Sequence, residues 1–300
     1  MNLLITGAWN CTDSDKAELE KRGYRISFLQ NERDELPSEA RSVDAVICNG
    51  LFLFHPIEEF TNLKTIQLTS AGLDRVPLAY IEEHGIRLYN AGGVYSIPMA
   101  EFALSGVLDL YKRKVAFRKS QAAHRWEKRR DLLELFGKRV LIVGCGSVGR
   151  ACAERFSAFG CETSGVDVVS VDSPLFDRVF PIGEIGNVLP EYDVVVLSLP
   201  LTPATERLFD GRLFSRMKDG AVFVNLARGA LVDLPALLDR LPRLRGAVLD
   251  VFPEEPLDPS SPLWDEENVI LTPHNSFVSD GNAERLRRLI YQNLKGNLNI

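Results

Sequence analysis

Apolar positions follow two interleaved rhythms along this chain. Short, nearly unbroken runs, "LLIT", "RISFL", "DAVICN", "KTIQLT" and "IRLYN", alternate with mixed stretches such as "DSDKAELEKRG" and "LAYIEEHG". The runs have the length and β-branched content of buried strands, and the stretches between them have helical spacing. After Asn90 the pattern changes to a long helical region, about residues 97–135, with an interruption near Ser120. A second alternating series follows: "KRVLIVG", "ETSGVDV", "DVVVLSL", "AVFVNLA", "GAVLDVF" and "NVILTP". Strands alternating with helices predict parallel sheets covered on both faces, here in two lobes. The last stretch, "GNAERLRRLIYQNLKGNLNI", carries apolar residues at 286, 289, 290 and 294, a helical stripe that has to pack on a core.

Composition narrows the function classes. Three hundred residues with 45% hydrophobic and 25% charged content suffice for two domains with their own cores. No window approaches the roughly 18 to 20 apolar residues of a membrane span. The start, "MNLLITGAWN", has no basic leader, so the expected location is the cytoplasm. Five cysteines, 11, 48, 145, 152 and 161, form no CxxC pair, which fits reduced thiols and implies no metal. A net charge of -6 argues against nucleic acid as a partner. The stretch Lys112–Arg130 is locally basic, but its helical spacing fits a solvated or dimer-facing helix.

"VLIVGCGSVGRACAERFSAFG" places Gly144, Gly146 and Gly149 in GxGxxG spacing between an apolar strand and an amphipathic helix. The first glycine permits a tight turn, the second lets a pyrophosphate approach the backbone, and the third lets the helix pack closely on the strand. The next strand ends near Asp167, and 167 − 144 = 23 positions is close to the spacing of a carboxylate that bonds a ribose hydroxyl. Asp167 repels a 2′-phosphate, and "DVVSVDSP" offers no Arg or Lys, so the expected cofactor is NAD rather than NADP. The first lobe also opens with a strand and a glycine, "LLITGAWNCTD", but Trp9 and Asn10 stand where further glycines would admit a phosphate.

Three ionisable residues stand just beyond strands of the second lobe: Arg228 after "VFVNLA", Glu255 in "LDVFPEEP" and His274 in "LTPHNS". Strand ends on one side of a parallel sheet face a ligand crevice, so residues 274 − 228 = 46 positions apart can converge there. Singly, each also fits a bland role as salt-bridge arginine, solvated loop acid or turn-capping histidine.

Together, in the order "LTSAGLDRV", "NAGGVYSIPMAEFAL", "ELFGKRVLIVGCGSVG", "LSLPLTPATERLF", "MKDGAVFVNLARGALVD", "AVLDVFPEEPL" and "NVILTPHNS", these motifs make the chain resemble a known family from about Thr69 to Phe277. It is the D-isomer-specific 2-hydroxyacid dehydrogenases, among them phosphoglycerate, glycerate, glyoxylate and D-lactate dehydrogenases. The resemblance implies an α/β fold of two doubly wound parallel-sheet domains. A Rossmann NAD-binding domain, 93–276, is then inserted into a flavodoxin-like substrate domain, 1–92 plus 277–300. It implies a hydride exchange between NAD(H) and a small D-2-hydroxy or 2-keto acid, with Arg228, Glu255 and His274 as the catalytic trio. Arg228 would clamp the substrate carboxylate and His274 would move the proton. Glu255 would support the protonated imidazole, the neighbouring Glu254 being the rival that does not directly precede proline.

By the same resemblance, Ser147, Val148, Leu199, Pro200, Leu226, Ala227, Arg228 and His274 join the glycines and Asp167 around the cofactor, and Asp250 helps hold its carboxamide. Ser70, Ala71 and Gly72 bind the substrate carboxylate, with Leu51, Phe52 and Phe54 as candidates for lining the same place. Cys145 is expected to be a packed small side chain and His55 a turn residue. Homodimerisation through the helical region after Asn90 is likewise implied. An NAD-sensing interaction protein, of the corepressor kind that reuses this fold, is the alternative. One departure stands out: after His274 the family usually continues with small residues including glycine or alanine, whereas this chain has Asn275, Ser276 and Phe277.

Overall fold

Both alternating series form purely parallel sheets. The computed structural model describes residues 1–295. The chain divides into two compact units, Met1–Tyr95 with the stretch from Ser279 onward, and Ser96–Val278.

In the first unit the strands are β1 (Asn2–Thr6), β2 (Arg25–Leu29), β3 (Ala45–Cys48), β4 (Thr65–Leu68) and β5 (Arg87–Tyr89), with helices α1 (Asp13–Lys21) and α2 (Leu78–Glu83) between them. They pair in the order β2-β1-β3-β4-β5, with Leu3 opposite Ala45 and Ala45 opposite Thr65. The chain reverses direction across the sheet at β1 and β3, which is where flavodoxin-like sheets open a crevice. The terminal stripe returns to this unit. Leu286, Ile290 and Leu294 of the last helix are buried in one core with Leu3, Ile5, Trp9, Leu19 and Tyr24. Each such burial contributes about 1.5–3 kcal/mol.

The second unit starts with α3 (Ser96–Tyr111) and α4 (Lys114–Ala122). Seven strands follow: β6 (Arg139–Val143), β7 (Glu162–Asp167), β8 (Arg178–Pro181), β9 (Val194–Leu197), β10 (Val222–Asn225), β11 (Gly246–Leu249) and β12 (Val269–Leu271). Their order is β12-β11-β10-β9-β6-β7-β8, so the reversal falls between β6 and β9. Helices α5 (Ser147–Ala158), α6 (Ile185–Val188), α7 (Gly211–Arg216) and α8 (Leu234–Arg240) complete the unit, and α9 (Asn282–Lys295) closes the chain in the first unit. Strand β10 shows why the runs lack alternation. Val222 and Val224 enter the core on one face and Phe223 the core on the other, so both faces need apolar side chains.

Two expectations change. The helical region after Asn90 is broken at Arg113, whose φ is 51°, rather than at Ser120, and helix ends at Ala122. Residues 125–135 contain no helix, and Trp126 is 95% exposed. The charged positions there give a helix no apolar stripe to bury, so spacing alone does not sustain it. The short edge strand β8 escapes sequence reasoning because only Val179 and Phe180 of its residues are apolar before a proline.

Candidate active site

Arg228, Glu255 and His274 follow three neighbouring strands, β10, β11 and β12, at the carboxyl edge of the second sheet. The register sets Asn225 opposite Leu249 and Leu249 opposite Leu271, so Arg228 and His274 each stand three residues past equivalent positions. His274 Nδ1 lies 2.9 Å from Glu255 Oε2, and the other carboxylate oxygen, Oε1, accepts the Phe252 N–H at 3.0 Å. Glu255, and not Glu254, therefore meets the imidazole. Because the acceptor is a carboxylate, Nδ1 carries the hydrogen and Nε2 is left to face a reactant.

The Arg228 loop is fastened to the same structure. A Cβ on Gly229 would lie 1.8 Å from the Phe252 carbonyl carbon, so only glycine lets the two loops touch. Buried Asn225 holds the loop from behind, accepting from Ala227 N–H at 3.1 Å and donating Nδ2 to Arg228 O at 3.0 Å. Leu226 and Ala227 are buried between them, and Arg228 Nη1 donates to Ala227 O. Asp250 stands at the end of β11, fully buried. Its carboxylate accepts from Thr272 Oγ1 at 2.6 Å, Asn275 N–H at 2.8 Å and Ser276 N–H at 3.0 Å. The Phe277 ring stands edge-on to His274, with ring centroids 6.1 Å apart.

The glycine loop opens at the other end of this crevice, at the β6/β9 reversal. Gly144 has φ of 101°, and a Cβ there would lie 2.6 Å from Leu199 N, which brings the loop against Ser198 and Leu199. A Cβ on Gly149 would lie 2.0 Å from Gly144 O, fixing helix α5 close to the turn. Around Gly146 the space is open, and α5 begins there with no side-chain cap on its N–H groups, Ser147 and Val148 being its first residues. Asp167 ends β7 with its carboxylate accepting from Cys145 N–H at 2.7 Å and Val168 N–H at 2.7 Å. Cys145 itself is buried, and burial, with Asp167 beside it, pushes its thiol up to about 12. It is a packing residue.

In the first unit, Ser70, Ala71 and Gly72 follow β4. The turn is braced by Asn90 Nδ2 donating to Ala71 O at 2.7 Å and by the Tyr95 hydroxyl donating to Thr69 O. Of the residues expected to line a binding place, Leu51 is fully buried in the core and Phe52 packs edge-on against Phe60. Phe54 is exposed, with the Arg33 guanidinium over its ring, and Leu53, not singled out from sequence, is 59% exposed. A helical turn over 51–53 takes Leu51 into the core and leaves Phe54 exposed. His55 is a turn residue whose Nε2 meets Glu32 O.

Residues 104–276 match the family model described as D-isomer specific 2-hydroxyacid dehydrogenase, NAD binding domain, which is more than half of the chain. A glyoxylate reductase from Thermofilum pendens is 31% identical over 87% of this chain and 80% of its own length. An (S)-sulfolactate dehydrogenase from Chromohalobacter salexigens is 30% identical over 95% and 94%. Among solved structures, the TT0316 protein from Thermus thermophilus superposes with a TM-score of 0.79 at 29% identity, covering 99% of this chain and 97% of that one. The chain belongs to the D-isomer-specific 2-hydroxyacid dehydrogenase family.

The dehydrogenase uses NAD, and the second unit fits a dinucleotide. A bare helix N-terminus faces a turn that no side chain fills, which is what a pyrophosphate requires, and a carboxylate closes the next strand where a ribose would lie. Among the described residues no cluster of ligating side chains could hold a metal, and no helix is long and apolar enough to cross a membrane. Sequence reasoning on the dehydrogenase missed Asn225, Thr272 and Gly229, which hold the ionisable residues in place. The signal was present for Asn225, a polar residue at the end of an apolar strand.

Proposed function

We propose that this dehydrogenase interconverts a small 2-keto acid and its D-2-hydroxy acid, with Arg228, Glu255 and His274 as the working groups. When bound, NAD supplies or takes up the hydride at the substrate's second carbon. The guanidinium of Arg228 binds the substrate carboxylate through paired charge-assisted hydrogen bonds and keeps its charge at every working pH. His274 Nε2 gives a proton to the carbonyl oxygen in reduction and takes it back from the hydroxyl in oxidation. Glu255 orients the ring through Nδ1 and stabilises it while protonated. The observation that carries this proposal is the 2.9 Å bond from His274 to Glu255 beside the Arg228 loop.

Backbone N–H groups of Ala71 and Gly72 add to carboxylate binding, and Ser70 shapes their turn through its 3.3 Å bond to Gly72 O. Asp167 makes NAD the preferred dinucleotide over NADP, because residues 168–172 bring no cation to offset a 2′-phosphate. Two relatives act, by their names, on glyoxylate and sulfolactate, so short acids whose keto carbon carries hydrogen or a small or anionic group are the substrate class to test. NADH consumption with glyoxylate, hydroxypyruvate, pyruvate, sulfopyruvate, phosphohydroxypyruvate and 2-ketoisocaproate is the direct experiment. Turnover of at least one short acid supports the proposal; NADH binding without turnover of any of them ends it.

The arm that follows α3 supports assembly as a homodimer, since Trp126 and Phe136 are 95% and 76% exposed and large apolar side chains of this kind gain most from a partner. A monomeric mass by light scattering would remove that element. The five cysteines are free thiols, consistent with a cytoplasmic location.

A further inference from the structure

We infer that Arg75 receives a second negative charge of the substrate, a sulfonate or phosphate carried on the third carbon of the 2-keto acid. The inference rests on the proposed binding of the substrate carboxylate at Ala71 and Gly72 in the first unit, and it narrows the substrate class. The turns that follow β2, β3 and β4 meet at one residue, Gly50. A Cβ there would lie 3.5 Å from Glu32 Oε2, 3.5 Å from Leu53 Cδ1 and 3.8 Å from Arg75 Cδ. The stem of Arg75, three residues on from Gly72, therefore runs beside the turn that follows β3. Arg75 is exposed, and among the described residues no carboxylate pairs with it.

Two features decide which way the third carbon lies. On the β5 side of the carboxylate site, Asn90 spends both ends of its carboxamide, Nδ2 donating to Ala71 O at 2.7 Å and Oδ1 accepting from Gly92 N–H at 3.1 Å. On the other side stands β3, at the reversal with β1, and a ligand of such a sheet occupies the crevice outside that reversal. The third carbon therefore lies toward the Gly50 turn. That turn has backbone donors of its own, but they are taken. Glu32 Oε1 accepts from Asn49 N–H at 2.7 Å and Thr6 Oγ1 at 2.8 Å, and Oε2 accepts from Gly50 N–H at 2.7 Å. An arriving anion finds no free N–H there and meets a carboxylate, so only a cation makes the place attractive to it. Arg75 supplies that cation as a planar fork of donors suited to a tetrahedral oxyanion. Arg33 adds a second positive charge, its guanidinium 5.0 Å from the centroid of the Phe54 ring. Glyoxylate has no third carbon and pyruvate has an uncharged one, so neither gains from these groups.

Calorimetric titration of the full chain in the presence of NAD, with sulfoacetate and phosphoglycolate as probes and glycolate as the reference, reads the site without turnover. At least one of the two probes should bind the wild type about tenfold or more tightly than glycolate, and the advantage should shrink as salt rises from about 20 to about 300 mM. Whichever probe is preferred names the group, sulfonate or phosphate. Arg75→Gln should weaken the preferred probe about 10- to 100-fold and glycolate by no more than about threefold, and Arg75→Lys should restore part of the difference. In turnover, kcat/KM for sulfopyruvate or phosphohydroxypyruvate should fall by a similar factor in Arg75→Gln while that for glyoxylate holds. Glycolate binding the wild type as tightly as both probes overturns the inference, and that measurement needs no variant. So does an Arg75→Gln protein in which the probes and glycolate weaken alike or not at all. Absence of hydride transfer with every acid, the titrations being as expected, ends the catalytic proposal alone, so the two fail by different observations.

Discussion

Each unit contains the same arrangement, a strand at the reversal point of its sheet, a turn with glycine and a helix, and the two use it in opposite ways. At β1 and α1 the protein's own side chains cap the helix and fill the turn. Thr12 and Asp15 form a reciprocal cap on the helix, Trp9 is buried edge-on to Tyr291, and Glu32 accepts from Thr6 Oγ1 and from the N–H groups of Asn49 and Gly50 at the end of β3. At β6 and α5 the helix has no side-chain cap, and Gly146 borders open space. Both helices point the same partial positive charge at a turn. The difference teaches that a helix N-terminus is a ligand site only where its donors are left unmatched.

That contrast makes substitutions at the second sheet's carboxyl edge costly to chemistry and those around α1 costly to stability. The largest effect belongs to His274→Gln, which should lower kcat by about 10³-fold while leaving NADH binding intact; equal turnover in a stopped-flow comparison would remove the histidine from the reaction. Arg228→Ala comes next. Losing the charge-assisted pair should raise KM for the keto acid by about 10²-fold, and a KM unchanged within error would place carboxylate recognition elsewhere. Asp167→Ala should weaken NAD by about tenfold or more and leave NADP nearly unaltered, narrowing the preference from one side; titrations in which both dinucleotides weaken alike would speak for a purely structural role.

The smaller effects lie at the sealed end. Burial works to raise the Asp15 carboxyl, but hydrogen bonds from Thr12, Tyr291 and Arg287 outweigh it and hold it at about 2. Its folded value is below the ordinary 3.8, so its contribution is present above about pH 4 and is lost as pH falls toward 2. At neutral pH it amounts to about 2 kcal/mol. Asp15→Asn should therefore lower the melting temperature at pH 7 and flatten the acid limb, with kinetics unchanged; an acid limb identical to wild type would contradict this. Thr12→Ala should cost about 1 kcal/mol through the lost cap and nothing in turnover, measured by urea titration. A loss of activity in either variant would mean that the first unit's turn is a functional site after all.

The apolar rhythm was enough to place eleven of the twelve described strands as runs, because a strand buried on both faces has to be written in apolar residues. The glycine loop was equally legible: Gly144 and Gly149 are demanded by contacts with Leu199 N and Gly144 O, and a backbone that tight leaves a mark in the sequence. Arg228, Glu255 and His274 could be named, since ionisable residues just past apolar strands are conspicuous. Their mutual placement could not. It depends on strand order, which brings β10, β11 and β12 side by side, and strand order arises from packing between elements distant in the chain. The break at Arg113 and the coil after Ala122 were hidden for a related reason, because charged positions at helical spacing form helix only where a tertiary surface receives them.

Sequence by itself determined the strands, the dinucleotide turn and the identity of the ionisable groups, all consequences of local burial and local backbone geometry. Only the tertiary structure decided that Glu255 rather than Glu254 meets the imidazole, that Leu51 faces the core, and that Asp250 accepts from the backbone that follows His274. Those outcomes are set by where side chains from separate strands point once the sheet has twisted and packed, and no residue's own neighbours along the chain carry that information.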